Sequence, residues 1–372
     1  GRWPTLCSSS HPKVRRNGMP TFHAADLKRL GCEFFTHVGV PTDEAQLVAD
    51  HMVDAGLLGH DTHSVLRFPQ YTNMVRSGQV KPGAPLEILG EKGGVVQTSG
   101  GWNFGPVTAT RAVELAIERA QTRALVAVTV KHCNHVARLG RFVDIVAREG
   151  NLIALLCANG HGSDLAVAPY GGRERRLPTN PLAVGIPTKR DWPIVLDMTT
   201  SMTSGGALRE YRNKNEPVPE GSIIDAAGRP STDVEHYYGP PAGAMLPLGF
   251  PLVGHKGFGL SLVIDILAGG LSGGGCSQAE PPETGNALFL TVFDITAFRD
   301  LADFHEDVDQ FIDWLKSSPP MEGFDEVMLP GEKSHRIYQQ RQRNGLDVDD
   351  NAWDQISALA QELGIAVPDP VI

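Results

Sequence analysis

The sequence of 372 residues lacks the features that mark membrane-spanning, disulfide-bonded and nucleic-acid-binding proteins. It has no run of 18 or more apolar residues, so we expect no membrane span. Its five cysteines are scattered and never form a C-x-x-C pair, which indicates reduced thiols and a cytoplasmic protein. The net charge is −10 and no basic run extends beyond Lys13–Arg16, so we expect no binding to nucleic acid.

The N-terminal segment also lacks the apolar core of a secretory signal. It carries Ser8–Ser10 and the basic run Lys13–Arg16, and Met19 stands just before a helical pattern. We therefore expect residues 1–18 to be a disordered extension or upstream readthrough that takes no part in the fold.

Apolar periodicity divides the remaining chain into helical ends and a strand-rich middle. The spacing predicts terminal helices at Ala24–His37, Pro41–Leu58 (capped by Thr42), Val65–Arg76, Pro106–Ala120, Leu301–Lys316 and Trp353–Leu363. In the middle it predicts strands at Leu125–Val130, Leu152–Cys157, Leu182–Ile186, Ile194–Met198 and Ala287–Phe293, with helices at Leu139–Glu149 and Phe258–Leu271. A chain of this length exceeds one hydrophobic core. We predict an α/β fold with a helical lobe of residues 19–120 and 300–372 and a sheet lobe of residues 121–299.

Glycine-rich segments do not include the G-x-G-x-x-G loop that binds a dinucleotide between a strand and a helix. Gly100–Gly105 has the wrong spacing and is typical of a plain turn. In Gly254–Gly259 two glycines flank Lys256 at a predicted helix start, where free N–H groups favour anions. A tight turn with a solvated lysine explains this segment equally well.

The segment Gly59–Arg67 combines imidazole and guanidinium groups. His60 and His63 are three residues apart, as two metal ligands on a helix would be, but no H-E-x-x-H pattern supports zinc. The favoured interpretation is that His63 transfers a proton and Arg67 holds a carboxylate in a two-pronged contact. Taken singly, His63 is more typical of a capping or packing histidine, and Arg67 is more typical of a surface ion pair.

Three further segments place polar groups next to strand candidates. Val130–Gly140 contains Cys133 close to His132 and His135, without the partner spacing of a metal site or a thiol nucleophile. Leu177–Ala183 and Pro193–Ser201 offer hydroxyl groups and Asp197 beside a strand end. This pattern alone is a weak signal of a functional site, because such residues are common in loops.

Together these segments resemble, in order and over the chain from Met19 onward, the malate/L-lactate dehydrogenase family that lacks a Rossmann fold. The matching motifs are D-[ST]-H-G-x-x-R at Asp61–Arg67, N-H-x-G/A-x-x-G at Asn134–Gly140, T-N-P at Thr179–Pro181, D-[MLF]-A-T-S at Asp197–Ser201, H-K-G-[FY] at His255–Phe258 and L-P-G-E at Leu329–Glu332.

The resemblance implies a soluble NAD- or NADP-dependent oxidoreductase that interconverts a small 2-hydroxy acid and its 2-oxo acid. It implies a mixed central sheet that binds the dinucleotide, a helical lobe made of both termini, and a homodimer with the active site near the subunit interface. Thr62 and His63 would form the proton relay, His135 matches an acid/base histidine of some relatives, and Arg67 would hold the substrate carboxylate. The residues implied to line the cofactor site are Val136, Ala137, Arg138, Leu139, Thr179, Asp197, Met198, Thr199, His255, Lys256, Asn286, Leu329, Pro330, Gly331 and Glu332.

Four positions depart from the family pattern. Ser64 stands where glycine is usual, Pro178 precedes Thr179 where glycine is usual, and Thr199 replaces alanine. Ala207 stands where many relatives have a lysine and some an aspartate that completes the relay. The relay of this chain is therefore expected to be weakened or restricted to Thr62 and His63.

Two other classes of protein compete with the dehydrogenase. One is a metal-dependent hydrolase or lyase that would use His60, His63, His132 and His135, although we expect no metal. The other is a non-catalytic dinucleotide-binding relative, suggested by Ala207 and Ser64. The sequence leaves open the substrate, the choice between NAD and NADP, and which of His63 and His135 is the acid/base.

Overall fold

The computed structural model describes residues 19–160, 165–281 and 284–371. The predicted extension, residues 1–18, lies outside these residues. No helix in the described ranges is both long and apolar enough to cross a membrane.

The described residues contain eleven α-helices, of which the longest lie in the first and last thirds of the chain. In chain order, α1 to α11 span Ala24–His37, Thr42–Leu57, Phe68–Arg76, Gly105–Ala120, Gly140–Ala147, Gly205–Lys214, Glu235–Tyr238, Gly254–Asp265, Leu301–Lys316, Glu332–Asn344 and Asp350–Leu363.

A seven-stranded mixed sheet forms the centre of the molecule. The strands of the described chain, β1 to β12, span Thr21–Phe22, Glu87–Lys92, Val95–Ser99, Leu125–Cys133, Leu152–Asn159, Leu182–Ile186, Ile194–Met198, Ile223–Ile224, Pro230–Ser231, Ala244–Met245, Asn286–Asp294 and Leu346–Asp347. The central sheet has the order β2-β3-β4-β11-β5-β6-β7, in which β3 and β4 are parallel and all other neighbours are antiparallel. The prediction of an α/β fold with a strand-rich middle is confirmed.

Apolar helices cover both faces of this sheet. On one face α4 and α5 pack against the strands, and their buried residues Val113 and Phe142 join Val128 and Leu290 of the sheet in one cluster. On the other face the end of α8 and a following π-helical turn, Ile266–Gly270, contact β5 and β11. With both faces covered, the strands are apolar on both sides, as β4 shows.

A second buried cluster joins the two ends of the chain. It includes Phe22, Phe34 and Phe68 from the N-terminal part and Leu346 and Ile356 from the C-terminal part. Helix α9, however, lies against the sheet side of the molecule, where the Nε2 of His305 contacts the carbonyl oxygen of Gly150 at 3.0 Å. The predicted boundaries of the two lobes stay predictions.

Three helix predictions differ from the structure at their ends. The prediction that Thr42 caps α2 is wrong, because Pro41 occupies the cap position without a side-chain hydrogen bond. The predicted helix Val65–Arg76 is α-helical only from Phe68, since extended backbone at Ser64 separates two 3₁₀ turns before it. The predicted helix Phe258–Leu271 begins earlier, at Gly254, and passes into the π-helical turn.

Candidate active site

A cavity of about 1350 Å³ lies between the 3₁₀ turns before α3, the start of α6 and the ends of strands β4, β5, β6 and β7. Typical small-molecule pockets measure roughly 300–1,000 Å³, so this cavity is larger than a typical pocket for one small molecule. Among its described lining residues are four arginines, Arg67, Arg138, Arg175 and Arg209, and one carboxylate, Asp197. Since the whole chain carries −10, this local positive charge makes the cavity the place where an anion is attracted.

His63 reaches the cavity from the 3₁₀ turn Asp61–His63. Its Nδ1 lies 3.0 Å from the Oγ1 of Thr62, the neighbour in sequence. Thr62 is in turn pressed against the start of α6, because a Cβ on Gly206 would lie 2.6 Å from the Cβ of Thr62. The side chains of the predicted pair Thr62–His63 are therefore in contact. Gly206 leaves the space that Thr62 occupies, so any other residue at position 206 would force one of the two to move.

His135 reaches the same cavity from the loop after β4. The hydroxyl of Tyr71 on α3 lies 2.8 Å from its Nδ1 and donates to its carbonyl oxygen at 3.0 Å. Tyr71 was not singled out in the sequence, because it is 64 residues away from His135. Its only sequence signal is its position one helical turn after Arg67, toward the same site.

The two imidazole rings are parallel, with centroids 5.9 Å apart and planes 8° apart. Burial, together with the charge of the nearby Arg67 guanidinium, lowers the pKa of His63 to about 3. Burial likewise holds the pKa of His135 well below the usual histidine value, with Arg67 and His63 adding to the effect. Both rings are therefore neutral at pH 7 and able to accept a proton.

Arg67 lies buried beside both rings. Its Nε donates to the carbonyl oxygen of Thr62 at 2.9 Å, and one terminal nitrogen donates to the Oε1 of Gln70. These bonds fix the plane of the guanidinium group at the cavity wall. A fixed guanidinium plane suits a carboxylate that binds with both oxygens.

The loop Val136–Leu139 lines the cavity. Ala137 has a φ of 59°, a left-handed conformation that residues other than glycine rarely adopt. Three side chains accept the amide protons of alternate residues: Asn286 from Val136 at 3.1 Å, His51 from Arg138 at 3.2 Å and Asp197 from Gly140 at 2.8 Å. The backbone of this loop is thus fixed from three separate elements.

The polar residues near the ends of β6 and β7 border the same cavity. Thr179, Met198 and Thr199 line it, as does Pro178. The Oγ1 of Thr200 donates to the carbonyl oxygen of Thr179 at 2.9 Å and so ties the two segments together. The weak sequence signal at this strand end therefore marks a real part of the cavity.

Two sets of residues that were predicted to line the cofactor site lie outside this cavity. His255 and Lys256 are exposed at the start of α8 and do not line the cavity. The turn Leu329–Glu332 packs on the edge strand β7, where the carbonyl oxygen of Pro330 accepts from the amide of Val195 at 3.2 Å. Within one chain this turn has a structural role, since the buried carboxylate of Glu332 accepts from Lys316 and from the amide of Leu329.

The unusual residues at positions 64 and 207 have clear structural surroundings. Ser64 is buried, and a Cβ on Gly56 would lie 2.2 Å from its Oγ, so a glycine on α2 makes room for it. Ala207 lines the cavity, and its amide donates to the Oγ of Ser204 at 3.1 Å at the start of α6. At position 207 the cavity therefore receives a methyl group in place of a charge.

The four histidines of the competing metal site do not all meet, since His60, His63 and His135 line the cavity and His132 does not. His132 packs on Trp102 with ring centroids 5.2 Å apart, and His60 contacts Ser334. Among the described residues there is no group of three or more His, Cys, Asp or Glu side chains that could hold a metal ion. The cavity instead combines two neutral imidazoles with cationic side chains, which suits proton transfer next to a bound carboxylate.

Comparisons with known proteins agree with this site. A family model described as malate/L-lactate dehydrogenase matches residues 22–357. The malate dehydrogenase of Pyrococcus horikoshii is 36% identical over 337 residues, which cover 89% of this chain and 92% of the relative. The L-sulfolactate dehydrogenase of Methanothermobacter thermautotrophicus is 35% identical over 340 residues, which cover 90% and 94%. The solved structure of malate dehydrogenase from Pyrococcus horikoshii OT3 matches with a TM-score of 0.86 and 31% identity, over 96% of this chain and 99% of that one.

The chain belongs to the malate/L-lactate dehydrogenase family. The resemblance drawn from the sequence motifs is therefore confirmed, and so is the prediction of an oxidoreductase that acts on hydroxy acids. The family implies a nicotinamide dinucleotide as the cofactor.

Proposed function

We propose that this chain interconverts a small 2-hydroxy acid and its 2-oxo acid in the 1350 Å³ cavity, with His135 as the acid/base and His63 as its support. The observation that carries the proposal is the pair of parallel imidazoles, 5.9 Å apart, beside the buried guanidinium of Arg67. An imidazole can move the proton of the substrate hydroxyl while the guanidinium of Arg67 holds the neighbouring carboxylate.

The hydrogen bonds of Tyr71 favour His135 for the proton transfer. The hydroxyl of Tyr71 has one hydrogen, and it donates to the carbonyl oxygen of His135, which can only accept. The Nδ1 of His135 must then donate to Tyr71, so this tautomer, assigned from the hydrogen bonds, leaves the lone pair on Nε2. We assign Nε2 as the base that takes the proton during oxidation and returns it during reduction.

Arg67 has two effects on this chemistry. Its charge lowers the pKa of both histidines, so the neutral base is favoured before the substrate binds. A substrate carboxylate paired with Arg67 offsets that charge, and the protonated imidazole needed for reduction becomes easier to form. The same contact orients the substrate.

We also propose that NAD or NADP binds along Val136–Leu139 together with Thr179, Asp197, Met198, Thr199 and Asn286. The cavity fits such a ligand, because its volume is larger than that of a small acid. The amides of its loop and its arginines can bind phosphate. The bound nicotinamide supplies or accepts the hydride. This dinucleotide site would lie on a mostly antiparallel sheet without a Rossmann glycine loop.

A homodimer is the assembly that we propose for the chain. Helix α8 and its flanks expose large apolar side chains, at Leu252, Leu262, Val263, Ile266 and Leu271. Exposed apolar groups on one element mark an interface. His255 and Lys256 lie at the start of this helix, so we propose that they approach a cofactor across that interface. The scattered thiols support a cytoplasmic location.

A panel of 2-oxo acids tests the proposal. Oxaloacetate, pyruvate and sulfopyruvate are offered with NADH and with NADPH, and the absorbance of the reduced cofactor is followed. We expect turnover with at least one pair, and turnover lower by roughly 10²- to 10⁴-fold with His135→Gln. Cofactor binding without any turnover would favour the non-catalytic relative, and activity lost on chelation would favour a metal enzyme.

A further inference from the structure

His51 lies in the middle of α2, outside the motifs of the family resemblance, and is almost completely buried at 1% exposure. Its ring packs on Phe142 of α5, with centroids 5.2 Å apart. Its Nε2 accepts the amide proton of Arg138 at 3.2 Å. A residue of the helical cluster therefore forms a direct bond with the loop that lines the cavity.

The charge state of His51 follows from this bond. An acceptor Nε2 requires a neutral ring with its proton on Nδ1. Burial lowers the pKa of His51, and the charges of Arg141 and Arg138 act in the same direction. The Nδ1 has no hydrogen-bond partner among the described residues. Because a buried polar atom without a partner is unfavourable, an apolar side chain would pack better here, and packing alone does not explain a histidine at this position.

The bond matters because of the shape of the loop. Ala137 is left-handed, which an alanine avoids unless its neighbours are fixed. The residues on either side, Val136 and Arg138, are fixed by Asn286 and His51. The amides of Ala137 and Leu139 have no acceptor within the described part of the chain, and both residues line the cavity. Unbonded amides in such a loop suit an anionic phosphate.

We propose that His51 is a positioning residue for the dinucleotide: it holds the Arg138 amide and so keeps the Ala137 and Leu139 amides available to the cofactor. The proposal rests on the proposed function, because it assumes that the cavity binds NADH or NADPH. It adds a residue from α2 that does not line the cavity.

The test compares His51→Phe, which retains a ring but no acceptor, with His51→Gln, whose side-chain oxygen can accept. The dissociation constants of NADH and NADPH are measured by the fluorescence of the reduced nicotinamide, without substrate. We expect about a tenfold weaker binding for His51→Phe, as one lost hydrogen bond predicts, and nearly parental binding for His51→Gln. The KM for the 2-oxo acid at saturating cofactor should not change.

His305→Phe is the matched control, because this partly buried histidine also contacts backbone, at Gly150, but lies outside the cavity. It should bind cofactor as the parent does. If His51→Phe is folded and binds as tightly as the parent, His51 has no positioning role. If the parent binds neither dinucleotide, the proposed function fails and this proposal fails with it.

Hydrogen exchange of the unmodified protein gives a second test that needs no variant. Without cofactor, the Arg138 amide should exchange slowly and the Ala137 and Leu139 amides quickly. NADH or NADPH should slow the exchange of those two. An Arg138 amide that exchanges as quickly as its neighbours would overturn the proposal.

Discussion

His63 and His135 present parallel rings to one cavity but are supported in different ways. Thr62, which contacts His63, is its neighbour in sequence, whereas Tyr71, which contacts His135, comes from another element 64 residues away. The contact of Tyr71 fixes the tautomer of His135, because the same hydroxyl also donates to a carbonyl oxygen. The contact of Thr62 fixes no tautomer, since a hydroxyl can donate or accept. This difference in support is the reason for proposing His135, and not His63, as the acid/base.

Replacing each histidine by glutamine tests this ranking with the largest expected effect. His135→Gln should lower kcat by roughly 10²- to 10⁴-fold, the range of general acid–base catalysis, and His63→Gln by less. Cofactor dissociation constants should stay near the parental value in both. Steady-state kinetics with the preferred 2-oxo acid provides the measurement. A larger loss for His63→Gln would reverse our assignment of the acid/base.

Arg67→Lys tests the two-pronged contact of the guanidinium group that lies beside both rings. A lysine keeps the charge but loses the flat two-pronged contact, so the KM for the 2-oxo acid should rise about 10- to 100-fold. Arg76→Lys, at an exposed ion pair with Glu362, is the matched control and should leave KM unchanged. A parental KM in Arg67→Lys would exclude Arg67 as the carboxylate contact.

The supporting residues can be compared in the same way. Tyr71→Phe removes the hydroxyl that fixes His135, and we expect kcat to fall about tenfold with little change in cofactor binding. Thr62→Val has nearly the same shape as the parent residue and should reduce kcat by a smaller factor. An equal or larger effect of Thr62→Val, in protein that melts at the parental temperature, would contradict the ranking of the two supports.

The sequence predicted the parts of the site that are local in the chain. The pair Thr62–His63, Arg67 one turn later and the loop Val136–Leu139 all line one cavity, and their roles there stay predictions. Tyr71 and His51 could not be predicted, because each acts on a backbone or ring far away in sequence. Periodicity found the long helices and the buried strands for the same reason: its signal is local.

Short and exposed elements were missed or misplaced. The hairpin of β2 and β3 is largely exposed and carries Gly90 and charged residues, so it lacks the apolar run of a buried strand. Helix α6, which forms one wall of the cavity, begins at two glycines and is mostly polar. The cap at Thr42 was wrong because Pro41, already extended, lies at the cap position.

The smallest expected effect is the loss of stability at acidic pH, which tests whether both histidines are buried and uncharged in the folded protein. In the unfolded chain a histidine titrates near pH 6.5, while in the folded protein the pKa of His63 is about 3. Below about pH 6.5 the unfolded state thus binds a proton that the folded state does not, so the free energy of unfolding falls as the pH falls. Each such histidine contributes about 1.4 kcal/mol per pH unit, and His135 acts in the same direction.

Urea unfolding at several pH values between about pH 6 and pH 4 measures this slope. His63→Gln and His135→Gln should each make it shallower by about the contribution of one histidine. His37→Gln, at the exposed end of α1, should leave it unchanged. A parental slope in His63→Gln would mean that His63 is protonated in the folded protein. Equal slopes with unequal losses of kcat would show that the two rings share their burial but not their role in proton transfer.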